Sequence, residues 1–193
     1  MSVIALPDCP TDCTDVLESV LFDECAPEVH FGEIARVYLW VDSATPPFAS
    51  QANYDSSAHW AGVIYDYVED TPPTIGEVLQ LTVIGEKPEP ESTETAISGD
   101  RIVTSPEKHT MNFEIDETNE VNYNFLMSSK CNGKFKANYE TADGIIYGGY
   151  LGLDVSLKIN EVIPRGRQEV VKYMGQMTWT AEFPPFRQIS IVA

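Results

Sequence analysis

The sequence predicts a mainly β protein: a β-sandwich or barrel with one packed α-helix, a long C-terminal β-hairpin and extended arms. Three observations carry this. Residues 153–183, LDVSLKINEVIPRGRQEVVKYMGQMTWTAEF, alternate apolar and polar side chains on both sides of a Pro-Arg-Gly-Arg turn, the period of half-buried antiparallel strands. Shorter alternating runs recur upstream, each closed by Gly, Pro, Asn or Asp. Between two of those runs, ETNEVNYNFLMSSK reads as a helix of about ten residues. At 193 residues, with 43% hydrophobic and 10% aromatic content, the chain suits one domain with a core of its own.

Residues 1–30 read as an irregular N-terminal arm with one helical piece, Thr14 to Phe22, whose Val16, Leu17, Val20 and Leu21 form a stripe. Residues 31–193 read as the β-rich domain. FGEIARVYLWV (31–41) is a strand closed by Pro46-Pro47. Asp55 or Ser56 can cap a helix through AHWAGVIYDYV, although the same residues also suit a buried strand. EVLQLTVIG (77–85) is a strand. EKPEPESTE (86–94), with its prolines and glutamates, is a solvated loop or extended acidic arm. TETAI and RIVTS pair across Ser98-Gly99-Asp100, and HTMNFEI (109–115) points Met111, Phe113 and Ile115 to one face. The helix that follows has Asp116 and Thr118 as candidate caps. It is expected to bury Val121, Phe125 and Leu126, with Lys130 at its negative end. KFKANYE and IIYGG pair across Ala142-Asp143-Gly144, and Gly148, Gly149 and Gly152 mark a bend.

In the last hairpin Leu153, Val155, Leu157 and Ile159 share one face. Val171, Tyr173, Met177, Trp179, Ala181 and Phe183 share the matching face of the return strand. A return strand of about fourteen residues would span about 45 Å, longer than most. The hairpin is therefore expected to reach past its own domain to a partner.

Net charge is −18, which favours solubility and opposes phosphate binding, a task for Lys and Arg. The balance is uneven: residues 1–95 carry 18 acidic and two basic side chains, residues 96–193 carry 12 and ten. Complementary regions of this kind can set register between copies. MSVIALPDCPTDC lacks the basic start of a signal peptide, and no apolar run approaches ~20 residues. A soluble protein made in a reducing cytoplasm is expected, with its four cysteines as thiols.

Candidate chemistry is sparse. Cys9 and Cys13 fit zinc-ligand spacing marginally, but Cys25 and His30 stand five apart around Pro27. Buried or incidental thiols are the favoured reading, and Cys131 is read as structural. His30, His59 and His109 lie in no nucleophile context, and no G-x-S-x-G elbow occurs; His109 is read as a surface or edge residue. No glycine loop followed by Lys and no calcium-loop pattern is present. Neither enzymatic activity nor a cofactor or metal is expected.

From about residue 75 to 183 the chain resembles tailed-bacteriophage tail tube proteins. The resemblance runs through VLQLTVIG, SPEKHTMNFEIDE, the helix NEVNYNFLMSS, the hairpin KFKANYETADGIIYGG and the final ladder. The pattern is also similar to virion proteins of phages infecting Bacteroidetes. Residues 1–74 are not covered, which leaves a head–tail adaptor, tail terminator or capsid decoration role open. The resemblance implies self-assembly into stacked hexameric rings. Their inner sheets would close around a lumen whose carboxylates repel DNA, so the genome passes as cargo; the location implied is the virion tail, assembled in the host bacterial cytoplasm. Partners would be copies of the chain and other virion proteins, with no membrane. Ile163, Pro164, Arg165, Gly166 and Arg167, at the hairpin tip, are the expected inter-subunit contact. Two other classes compete. A carbohydrate-binding β-sandwich would use exposed Trp40, Trp60 or tyrosines as platforms, and an acidic metal enzyme would need Cys9, Cys13, Cys25 and His30 to converge.

Overall fold

The computed structural model describes residues 32–66, 71, 73–92, 94–97, 101–104, 106–130, 134–166, 169–182 and 184–192, with backbone alone for 94–97 and 101–104. The predicted N-terminal arm with its helical piece, all four cysteines, His30, the Ser98-Gly99-Asp100 turn, Arg167 and Phe183 lie outside the described residues. The elements are β1 (Ile34–Val41), α1 (Gln51–Tyr54), α2 (Ser57–Val63), β2 (Leu79–Glu86), β3 (Glu94–Ile97), β4 (Arg101–Thr104) and β5 (Glu107–Ile115). They continue with α3 (Glu120–Ser129), β6 (Phe135–Thr141), β7 (Ile145–Tyr147), β8 (Leu153–Val162), β9 (Lys172–Ala181) and β10 (Arg187–Ile189). Among the described residues β3 and β4 pair only with each other.

Six strands close into an antiparallel barrel in the order β1-β2-β5-β9-β8-β6, with β6 returning to β1. Closure rests on β1, whose Val37 lies opposite Leu81 on one side and Tyr139 on the other. Alternation then decides what the barrel contains. Val37 and Leu39 join Met111, Phe113, Ile115, Tyr173, Met177 and Trp179 in one buried core, with Phe135, Ala137, Tyr139, Val155 and Ile159 opposite. Six strands leave an interior that side chains fill. At Gly175 there is room for none: the ring of buried Phe113 occupies the space a Cβ would need.

The other face of β1 is buried as well. Tyr38 and Trp40 point out of the barrel into a second core with Phe48, Tyr54, Trp60, Val78 and Ile146. The helices α1 and α2 cover it, capped by Ser50 and Ser56 through their side-chain oxygens. The helix predicted through Val68 stops at Val63, because Ile64 leaves to bridge Val78. The far edge of β6 is divided: Phe135–Ala137 pair with β8, while Tyr139 and Glu140 pair with β7, which carries β10. The glycine bend between β7 and β8 makes that split possible. A Cβ on Gly148 (φ 124°) would lie 1.9 Å from the Asn138 side chain, and one on Gly152 (φ 67°) 2.4 Å from Trp40.

Three expectations are corrected here. The return strand β9 has ten residues, not about fourteen, and β5 pairs with it from Glu107–Ala181 to Ile115–Tyr173. The hairpin is thus barrel wall over its whole ladder. Alternation continues through Val171 in sequence, but the partner strands end at Ile115 and Val162, so only the tip beyond Val162 leaves the sheet. The helix α3 is capped by Asn119, whose side-chain oxygen accepts from Asn122 N at 2.9 Å, not by Asp116 or Thr118. Its buried stripe is Leu126 and Ser129 with Phe125 partly covered; Val121, one turn earlier, stays 40% exposed. Lys130 stands at its C-cap.

Candidate functional site

The tip joining β8 to β9 combines apolar side chains with solvent exposure. Ile163 is 73% exposed and Val170 68%, with Val162 exposed beneath them. Pro164 is half-buried, while Arg165 and Gly166 are exposed. The loop is folded on itself, with Glu169 N donating to Gly166 O at 3.2 Å. Four of the five residues expected at an inter-subunit contact therefore sit together at one projecting end; Arg167 lies outside the described residues. Sequence reasoning missed Val162 and Val170, whose signal was simply apolar type next to the predicted turn.

Below the tip, the outer wall carries a cross-strand row of Ile84, Glu114, Met174 and Asn160. Ile84 and Met174 are exposed, and Lys172 Nζ holds the Glu114 carboxylate at 2.5 Å. Ile84, Glu86, Asn112, Glu114 and Met174 rim a groove of about 310 Å³ over the backbone of Gly85 and Phe113. In the next cross-strand row Gln176 donates to Asn112 at 3.1 Å, with Glu86 beside Asn112 and Lys158 beside Gln176.

Titratable groups with shifted behaviour lie elsewhere. His109, expected at a surface or edge, is 2% exposed inside the barrel, paired across the ladder with Trp179 and stacked on it at 5.2 Å. Its alternation with Met111 and Phe113 was the available signal. Neither ring nitrogen is hydrogen-bonded to a described residue, and Glu107 is 3.7 Å away. Burial holds its pKa below 6.5, Lys87 adds to this, and Glu107 opposes it in part. On the outer face of β1, Glu140 is buried, accepts from the Tyr38 hydroxyl and meets Arg36 at 3.3 Å. Burial and the Glu140 contact push the Tyr38 hydroxyl pKa up. Asn138 donates to the Tyr54 hydroxyl at 3.1 Å and to Gly149 O at 3.0 Å. These buried polar contacts tie the second core to the barrel.

Of the sugar-platform residues, the two tryptophans are not available, Trp40 being 3% and Trp60 1% exposed, the latter donating to Tyr54 O, whereas Tyr123 is 45% exposed. The tryptophans are the aromatic filling of the second core, packed edge-on against Phe48 and Tyr38. Among the described residues no three His, Cys, Asp or Glu side chains are grouped to hold a metal, and no helix is long and apolar enough to cross a membrane. No protein-family model matches the chain, and no curated protein or solved structure is significantly similar to it.

Proposed function

We propose that the chain is a structural virion protein whose copies assemble into rings or a tube, in the manner of the tail tube proteins its sequence resembles. The observation that carries this reading is the exposed apolar tip, Ile163 and Val170, at the end of the β8–β9 hairpin; Ile75, Leu151 and Ile189 are exposed elsewhere on the surface. The succession β5, α3, β6, β7, β8, β9 also has the strand–helix–strand order on which the resemblance rests. Because the barrel closes within one chain and its interior is filled, a channel has to lie between copies, bounded by outer walls. The net charge of −18 would repel DNA phosphates where the acidic first half of the chain lines that channel.

The energetics favour many weak contacts over one strong one. Burying Ile163 and Val170 is worth about 1.5–3 kcal/mol each, against about 4–15 kcal/mol lost on association. A single pair is then weak, and a ring, in which every copy has two neighbours, is required for stability. Like charge opposes assembly at low salt and is screened at high salt. Sedimentation velocity of the full chain between about 0.05 M and about 0.5 M salt tests this: assembly should grow with salt and be lost in Ile163→Asp. An Ile163→Asp protein that assembles as the wild type does would refute the role of the tip. Of the alternative readings, adaptor, terminator and decoration roles share the tip contact and differ only in the copy's neighbours.

A further inference from the structure

We propose that the groove on the outer wall receives the β8–β9 tip of a second copy, with Ile163 seated between Ile84 and Met174 and Arg165 over Glu86. This rests on the self-assembly reading and adds the receiving surface. Groove and tip match in chemistry. Ile84 (51% exposed) and Met174 (39%) offer apolar walls with no covering group, and Ile163 (73%) is the most exposed apolar residue of the tip. Glu86 and Arg165 are both exposed and form no ion pair with a described residue. Glu114, the other carboxylate on the rim, is already held by Lys172, so Glu86 is the anion left for an incoming guanidinium.

Size points the same way. At about 310 Å³ the groove is shallow and more open than enclosed, unlike the enclosing pockets usual for small molecules, and it offers room for a few protein side chains. A chain does not fill its own groove, since Ile163 stays exposed while the tip turns on itself through Glu169 and Gly166. Tip and groove are different residues: docked reciprocally they would close a two-fold dimer, docked one way they repeat into a ring or a filament, and the ring reading requires the one-way contact.

Two variants at exposed positions separate the halves of the contact: Ile163→Asp disables the tip, and Met174→Lys disables the groove. Circular dichroism melts matching the wild type establish that each is folded. Each alone should associate about 10–100-fold more weakly than the wild type. Mixed in equal amounts at about 1 mM, they should associate more than either does alone, in one-to-one pairs and nothing longer, because one intact tip meets one intact groove. Arg165→Glu should weaken association, and Glu86→Arg in the same chain should restore it. If Met174→Lys and Glu86→Arg assemble normally while Ile163→Asp does not, the groove is refuted and the tip reading stands. A wild type that stays monomeric to about 1 mM overturns both.

Discussion

Adding one methyl group at Gly175 probes the packing that holds the barrel wall in place. An ideal Cβ there would lie 2.2, 2.4 and 2.7 Å from three ring carbons of Phe113, where carbon atoms normally rest at about 3.5–4.0 Å. The shortfall is more than about 1 Å, and Phe113, 2% exposed, has no solvent to move into. Overpacking of this kind costs about 1–3 kcal/mol. At about 2–4 °C per kcal/mol for a chain of this size, the Tm of Gly175→Ala should fall by about 2–12 °C. The same displacement would disturb the groove, whose floor includes Phe113. Thermal or urea denaturation of Gly175→Ala, Phe113→Leu and the double variant measures it. The smaller leucine leaves space for the methyl, so the double variant should be more stable than the sum of the two losses predicts, by about 0.5–3 kcal/mol. An unchanged Tm in Gly175→Ala, or strictly additive losses, would refute the close approach.

Three further outcomes are expected. His109 is held neutral by burial, so the unfolded chain binds its proton more readily than the folded one. Stability from this residue is present above about pH 6.5 and lost as pH falls below it; His109→Leu should flatten the stability profile between about pH 7 and 5. Tyr38→Phe removes a donor from the buried Glu140 carboxylate and should cost about 1–3 kcal/mol, read by urea unfolding. Replacing Val155 and Leu157 together with Lys should unfold the monomer by circular dichroism, because Val155 is 5% exposed within the core and Leu157 packs against it.

Much of the β architecture was legible because alternation is a local signal. The pairs β6–β7 and β8–β9 and the inward set Val155, Ile159, Tyr173, Met177 and Trp179 follow from period two and turn residues. What stayed hidden depends on long-range partners. Nothing near Val37 announces that Tyr139, about a hundred residues away, closes the barrel, and nothing near Phe135 announces that β6 divides its edge between β8 and β7. The competing platform reading needed Trp40 and Trp60 exposed; Trp40 is on the outward face of β1, usually wet, but α1 and α2 fold over it and α2 itself supplies Trp60 to the same core. His109 was misread for the opposite reason, since its polarity outweighed an alternation that placed it inside. At the site, the tip was visible as a Pro-Gly turn between strands, whereas the groove is assembled from β2, β5 and β9 and has no sequence signature.

Negative-stain electron microscopy of the full chain across concentration and salt tests self-assembly most directly. The account predicts rings or tubes with a central hole, more abundant as salt screens the −18 charge. Isolated particles the size of one copy under every condition would contradict it.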